Sequence, residues 1–133
     1  SRLSRAQVHR RWFPKVTVTV LDRAGRTKVV LRDAGSNPHS VQHSLNKAYT
    51  ALTFREPSGE WGKRAVANPG SAGALRLDKI ATASGGLPIR AGNIVVGAIG
   101  ISGSPGAAGS PGGLRDQACA QAGIDRIAKG LGN

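Results

Sequence analysis

The most constraining feature of this 133-residue sequence is the segment 15–22, KVTVTVLD, in which valine and threonine alternate. Alternation with a period of two residues is typical of a half-buried β-strand. A glycine-containing turn at 23–26 separates this segment from a second strand-like segment at 27–32, and the spacing predicts a β-hairpin. These residues therefore commit the chain to an antiparallel sheet.

Two helices are predicted after the hairpin. Asn37 is suited to cap the first helix, and Pro38 is tolerated in its first turn. Pro57 interrupts this helix after residue 54, and Ser58, a favoured N-cap residue, opens a shorter helix that runs to about residue 67. Apolar residues recur at helical spacing in the first helix and predict a stripe that lies on the sheet: Val41, Leu45, Ala48 and Leu52.

From residue 79 the sequence again favours sheet. Three strands are predicted, at 79–83, 87–90 and 94–102. The last two are joined by a turn at 91–93. Three glycines lie in or beside the last strand: Gly97, Gly100 and Gly103. They indicate the close approach of another backbone, of a ligand or of a packed helix.

The segment 102–113 contains Gly-Ser-Pro-Gly twice and predicts a loop without regular structure. A final helix is predicted over 114–131. Its predicted apolar side consists of Ala120, Ile124, Ile127 and Leu131. Its predicted water-facing side consists of Arg115, Asp116, Asp125 and Lys129. Antiparallel strands covered by helices predict one α/β (α+β) domain over 16–133, preceded by a basic segment at 1–15.

Charge limits the classes of partner. The formal net charge is +12 at pH 7, from 19 Lys and Arg against 7 Asp and Glu, and such a surface attracts nucleic acid, anionic lipid or carboxylate-bearing ligands. Beyond the basic segment the cations are dispersed, which is typical of a solvated surface and argues against specific nucleic-acid recognition. No segment approaches the roughly 20 apolar residues that span a bilayer.

Catalytic groups are scarce in this sequence. The acidic residues form no evident catalytic pair, and no Gly-x-Ser-x-Gly nucleophile motif is present. Cys119 is the single cysteine, so an intrachain disulfide is impossible, and its alanine-rich surroundings predict a packed, inert thiol. These features favour a binding function over catalysis without a cofactor.

Six segments together resemble the GlcG/HbpS family of heme-binding and heme-degrading domains, to which the C-terminal domain of PduO is related. They are VTVTVLDRAGRTKVVLR, NKAYTALTF, PSGEWGKR, GGLPIR, and VVGAIGISGSPG followed by DQACAQAGID. The resemblance implies a profilin-like three-layer α/β/α domain with a five-stranded antiparallel sheet. It also implies heme as cofactor, a homo-oligomer, and a periplasmic or secreted location, with the cytoplasm as the alternative.

Two histidines are candidate metal or heme ligands. Heme iron is usually held by His, Cys, Met or Tyr, and its propionates favour Arg or Lys. His39 and His43 are four residues apart, so on the predicted central helix they share a face, where one metal could bridge them. A pair of surface histidines near a helix start is the alternative interpretation.

The family resemblance points instead to the start of the shorter helix. It implies that the hydroxyl of Ser58 contacts the ligand, whereas the N-cap role is the alternative. Arg55 and Arg64 flank this segment and are suited to bind carboxylates through charge-assisted, bidentate hydrogen bonds, or they are solubilising surface residues.

A glycine-rich loop precedes the strand at 87–90. The resemblance makes this loop, with Gly85, Gly86 and Pro88, part of a pocket wall, where the missing Cβ atoms admit a ligand close to the backbone. A tight structural turn is equally compatible with these residues. The loop lacks the GxxxxGK[ST] pattern and leads into a strand, which argues against nucleotide binding.

The predicted function is the binding of heme, a related tetrapyrrole or another small anionic ligand, for transport, storage, sensing or detoxification. One alternative is a heme-degrading or other small-molecule-converting enzyme, which would form product with a reductant. A second is an electrostatic nucleic-acid or membrane binder, whose binding would collapse with added salt.

Overall fold

The computed structural model describes residues 15–104 and 112–130, and the side chains of the last helix up to residue 126. Some predictions concern residues outside these ranges: the rest of the basic segment, the repeated loop, Ile127, Lys129 and Leu131. The strands are β1 (Thr17–Asp22), β2 (Thr27–Arg32), β3 (Gly86–Ala91) and β4 (Ile94–Ser102). The helices are α1 (His39–Phe54), α2 (Ser58–Ala67) and α3 (Gly112–Gly130), with single 3₁₀ turns at Pro69–Ser71 and Ala74–Arg76.

The described strands form one antiparallel sheet in the order β2-β1-β4-β3. Both hairpins were predicted and are confirmed. The strand predicted at 79–83 is wrong: Lys79 has a left-handed φ of 64°, and the segment forms no ladder. The hydroxyl of Thr50 on α1 instead accepts a hydrogen bond from the Ala81 amide at 2.8 Å. The described sheet therefore has four strands where five were expected.

A helix packs on each face of this sheet. On one face, Ala48 and Ala51 of α1 pack against Leu21 and Ala98. On the other, Ala120 of α3 packs against Leu87, Ile99 and Ile101. Because both faces of β1 are covered, its threonines are buried under α1 while its valines are partly buried with the α3 cluster. The predicted α/β class is confirmed.

The contact between α1 and β1 is polar at Thr17 and Thr19, which the predicted apolar stripe did not anticipate. Val41 of that stripe is 40% exposed, whereas Ser40 and Ser44 are fully buried. Their hydroxyls hydrogen-bond to those of Thr17 at 2.8 Å and Thr19 at 2.7 Å. Small hydroxyl pairs satisfy their own polar atoms and let the helix lie close to the sheet.

Glycines allow the same close approach on β4. A Cβ on Gly100 would lie 2.0 Å from the carbonyl oxygen of Ser44, so the α1 backbone rests on this glycine. Of the three explanations for glycine in this strand, the contact at Gly100 supports a packed helix.

An ion pair joins α1 to α3. Lys47 Nζ lies 2.9 Å from Asp116 Oδ2, and the two side chains are 2% and 3% exposed. The prediction that Asp116 faces water is therefore wrong, because this carboxylate partners a lysine that crosses the end of the sheet. Within the described ranges, no helix is both long and apolar enough to cross a membrane.

Candidate ligand-binding site

A cavity of about 390 Å³ lies at the β3 edge of the sheet, between the end of α1 and the middle of α3. We call it the β3-edge cavity. Its volume falls within the range of about 300–1,000 Å³ that is usual for small-molecule sites. The lining residues are Arg55, Glu56, Pro57, Leu87, Pro88, Arg90, Gln121 and Ile124.

Two arginines at this cavity are linked through the end of α1. Arg55 follows the last helical residue and takes the left-handed conformation, with φ 59°. Its carbonyl oxygen accepts a hydrogen bond from Arg90 Nη2 at 2.6 Å. A guanidinium is favourable there because the carbonyl end of a helix carries partial negative charge. The end of α1 thus holds two cations beside apolar walls from Leu87 and Ile124.

A second cavity of about 250 Å³ shares Arg55 with the first and is also lined by Arg23 and Tyr49. The ammonium of Lys79 lies 5.4 Å from the centroid of the Tyr49 ring. Cationic side chains therefore gather on both sides of Arg55, and this end of the domain favours an anionic ligand.

Arg64 was predicted to bind ligand carboxylates, and the structure pairs it within the protein. Its Nη2 donates to Glu56 Oε2 at 2.5 Å. The hydrogen bond and charge of Glu56 raise the pKa of Arg64. Because Glu56 lines the β3-edge cavity, this pairing offsets the one carboxylate in the lining. Direct ligand contact by Arg64 stays a prediction.

Ser58 is fully buried, and its hydroxyl bridges two backbone groups. The Oγ atom donates to the Ala83 carbonyl at 2.7 Å and accepts from the Gly86 amide at 2.9 Å. Asn37 and Ser58 were predicted as N-caps, but neither forms a side-chain cap. The N-cap positions of α1 and α2 are Pro38 and Pro57, without side-chain cap hydrogen bonds. The Ser58 hydroxyl serves the loop at 83–86 instead, and its ligand contact stays a prediction.

The loop glycines are close to protein atoms. A Cβ on Gly86 would lie 2.0 Å from the Lys47 carbonyl oxygen, and one on Gly85 would lie 2.5 Å from that of Ile101. These contacts account for both glycines through packing of the loop on α1 and β4. Pro88, in contrast, does line the β3-edge cavity, so the structure brings Pro88 and Arg55 together.

The two histidines lie at the other end of α1. His43 and Arg55 are 12 positions apart, or roughly 18 Å at a rise of about 1.5 Å per residue. His39 is exposed and His43 is half-buried. Burial, followed by the charge of Lys47, lowers the pKa of His43. The histidines and the β3-edge cavity are therefore separate places.

Sequence reasoning missed Arg90, although it used the GGLPIR segment that contains it. The available signal was its position two residues after Pro88 in a predicted strand. Cys119 was predicted to be inert, and burial indeed raises the pKa of its thiol. A raised thiol pKa disfavours the reactive thiolate at neutral pH.

A family model described as "Haem degrading protein HbpS-like" matches residues 3–125 of this chain. The chain belongs to the HbpS-like family. The family resemblance stated from sequence is thereby confirmed, and the match covers both cavities and both histidines of α1.

Solved structures of similar fold agree with this membership. A double mutant of Streptomyces reticuli HbpS has a TM-score of 0.77 and 30% identity, covering 92% of this HbpS-like chain and 77% of the other. Klebsiella pneumoniae protein ORFY has a TM-score of 0.76 and 26% identity, covering 90% and 79%. A PduOC:heme complex has a TM-score of 0.70 and 26% identity, covering 83% and 76%.

A curated relative is an uncharacterized 15.0 kDa protein in the dhaT-dhaS intergenic region of Citrobacter freundii. It is 36% identical over 91 residues, which are 66% of this chain. The match spans 63% of the length of that relative, slightly less than two thirds.

Proposed function

We propose that this HbpS-like chain binds heme or a related tetrapyrrole at the β3-edge cavity, for its transport, storage, sensing or detoxification. The observation that carries the proposal is a pair of arginines beside the apolar Leu87, Pro88 and Ile124, with the Arg90 guanidinium held by the backbone carbonyl of Arg55. Propionates favour arginine, and the macrocycle needs apolar walls. Family membership and the similarity to PduOC, which was solved as a heme complex, support the same ligand class.

The lining of this cavity fits the carboxylates and ring of a tetrapyrrole but offers no usual iron ligand. No His, Cys, Met or Tyr is among the described residues that line it. We therefore assign binding there to the propionates and the ring faces. A bound heme would supply redox chemistry, whereas these side chains bind and orient the ligand.

Titration with two ligands tests this proposal. The untagged protein is titrated with hemin and with iron-free protoporphyrin IX, following the Soret band. Both should bind saturably with similar affinity, since the iron contributes no bond in this cavity. Binding of hemin alone would contradict the assignment and point to an iron ligand elsewhere.

Matched glutamine variants test the two arginines. Arg55→Gln and Arg90→Gln should each weaken binding about tenfold, or by roughly 1.4 kcal/mol, which is within reach of one charge-assisted hydrogen bond at a partly exposed site. Arg76→Gln, at an exposed residue of a 3₁₀ turn, is the control and should bind like the parent. Unchanged affinity in both arginine variants would exclude this cavity.

The same complex decides between binding and turnover. A Soret band that is stable in the presence of a reductant supports binding, and its loss with release of a ring-opened product supports heme degradation. Self-association stays a prediction, to be measured by light scattering. The exposed apolar residues on β2 are consistent with it: Val29, Val30 and Leu31.

A further inference from the structure

His39 and His43 form a pair on the first turns of α1. Their ring centroids are 6.1 Å apart with an interplanar angle of 36°. Metal–nitrogen bonds of about 2.0–2.1 Å at the angle of about 90° in square-planar or octahedral sites place two ligating ring centroids about 4.5 Å apart. A shift of about 1.5 Å by the exposed His39 ring would bring both imidazoles onto one ion.

Ser102 gives His43 the support that metal-binding histidines usually have. Its Oγ lies 3.2 Å from His43 Nδ1, and Ser102 is 1% exposed, so this partner has a fixed position. When Nδ1–H donates to the hydroxyl, the lone pair is on Nε2, which has no hydrogen-bond partner among the described residues. The contact thus restrains the orientation of the ring, and it is compatible with the tautomer that leaves Nε2 free for a metal.

The local charge and the number of available ligands determine which ions can bind here. The start of a helix carries partial positive charge, and Lys47 adds a cation near His43, partly offset by Asp116. Within the described ranges, no three ligand-type side chains gather around one point. Calcium and magnesium, which need several oxygen ligands, are therefore excluded, whereas Cu²⁺ and Ni²⁺ form strong bonds to imidazole.

We propose that His39 and His43 form a two-imidazole site for Ni²⁺ or Cu²⁺, with Ser102 as a positioning residue and water in the remaining coordination positions. The site is separate from the β3-edge cavity and does not depend on tetrapyrrole binding.

Titration of the untagged, tetrapyrrole-free protein with NiCl₂ by calorimetry tests the site. Ni²⁺ is used first because Cu²⁺ oxidises free thiols such as Cys119. We expect one ion per chain, and His39→Ala and His43→Ala should each weaken binding at least tenfold. His9→Ala, at the third histidine of the chain, is the matched control and should leave the affinity unchanged.

A further variant and a spectrum separate ligation from a structural effect. Ser102→Ala should weaken Ni²⁺ binding by about tenfold, the lower end of the usual effect of an outer-shell partner, with unchanged stoichiometry. Electron paramagnetic resonance of the Cu²⁺ complex should show nitrogen ligation that is reduced in His39→Ala.

Because His39 is exposed, its variant tests ligation even if His43→Ala fails to fold. Parent-like Ni²⁺ affinity in a folded His39→Ala, or a loss confined to His9→Ala, would overturn the proposal. Either result would leave the tetrapyrrole proposal unaffected, because that titration reads a different site with a different ligand.

Discussion

The buried ion pair between Lys47 and Asp116 makes a strong prediction about stability. Each charged group has one further partner: Lys47 Nζ donates to the Ile101 carbonyl at 3.0 Å, and Asp116 Oδ1 accepts from the Ser104 amide at 3.0 Å. Asp116→Asn keeps an acceptor for Ser104 but removes the charge that compensates the lysine. Lys47→Met keeps most of the apolar stem and removes the ammonium.

Each single substitution should destabilise the protein by about 3–5 kcal/mol, because it leaves an uncompensated charge in a site that is almost closed to water. For a chain of this length that corresponds to a fall in Tm of roughly 10–20 °C. The double variant removes both charges and should lose clearly less stability than the sum of the two single losses, because neither buried charge is left without its partner. The coupling energy should therefore exceed about 2 kcal/mol.

Urea unfolding followed by circular dichroism measures these values. Asp125→Asn is the control on the same helix: Asp125 is exposed and accepts a hydrogen bond from Gln121 at 2.9 Å, so its loss should change stability by no more than about 0.5 kcal/mol. A loss below about 1 kcal/mol in Asp116→Asn, or additive losses in the double variant, would refute the reasoning.

Two other predictions follow from the α1 contacts. Gly100→Ala should destabilise by about 1–3 kcal/mol or more in urea, because its Cβ would meet the Ser44 carbonyl; Gly73→Ala, with nothing within 4 Å, is the control, and equal stability of the two would contradict the packing argument. For His43, the pKa is lowered from 6.5 in the folded protein, so the unfolded chain takes up its proton first. Stability should fall as pH drops from about 6.5 through the lower folded pKa. The urea midpoint of the parent should fall more than that of His43→Gln over this pH range. Equal changes in the two proteins would contradict the role assigned to His43.

The elements of the fold were predictable because their signals are local. Alternation and a short turn specify the β1–β2 hairpin, and the proline before Ser58 separates α1 from α2. The strand expected at 79–83 was wrong because its hydrogen bonds go to the Thr50 side chain, 31 residues away from Ala81 in the sequence. The residues at 79–83 alone do not indicate a hydrogen-bond partner so far away in the sequence.

The same reasoning explains the errors inside the domain. Asp116 has the helical position of a solvent-facing residue, and only the reach of Lys47 across the sheet end makes it a buried one. Similarly, Ser40 and Ser44 look like weak core residues until the threonines of β1 supply their hydroxyl partners. Polar pairs that satisfy each other are invisible to a hydrophobic pattern, since each member alone predicts exposure.

This polar interior also bears on where ligands can bind. The hydroxyl pairs and the glycine contacts bring α1 so close to the sheet that no room for a ligand is left beneath the middle of the helix. The ends of α1 are different, because there the chain turns away and polar groups meet water: Arg55 borders two cavities at one end, and His39 lies exposed at the other. The proposed tetrapyrrole site and the proposed metal site therefore lie at opposite ends of α1, outside its tightly packed centre.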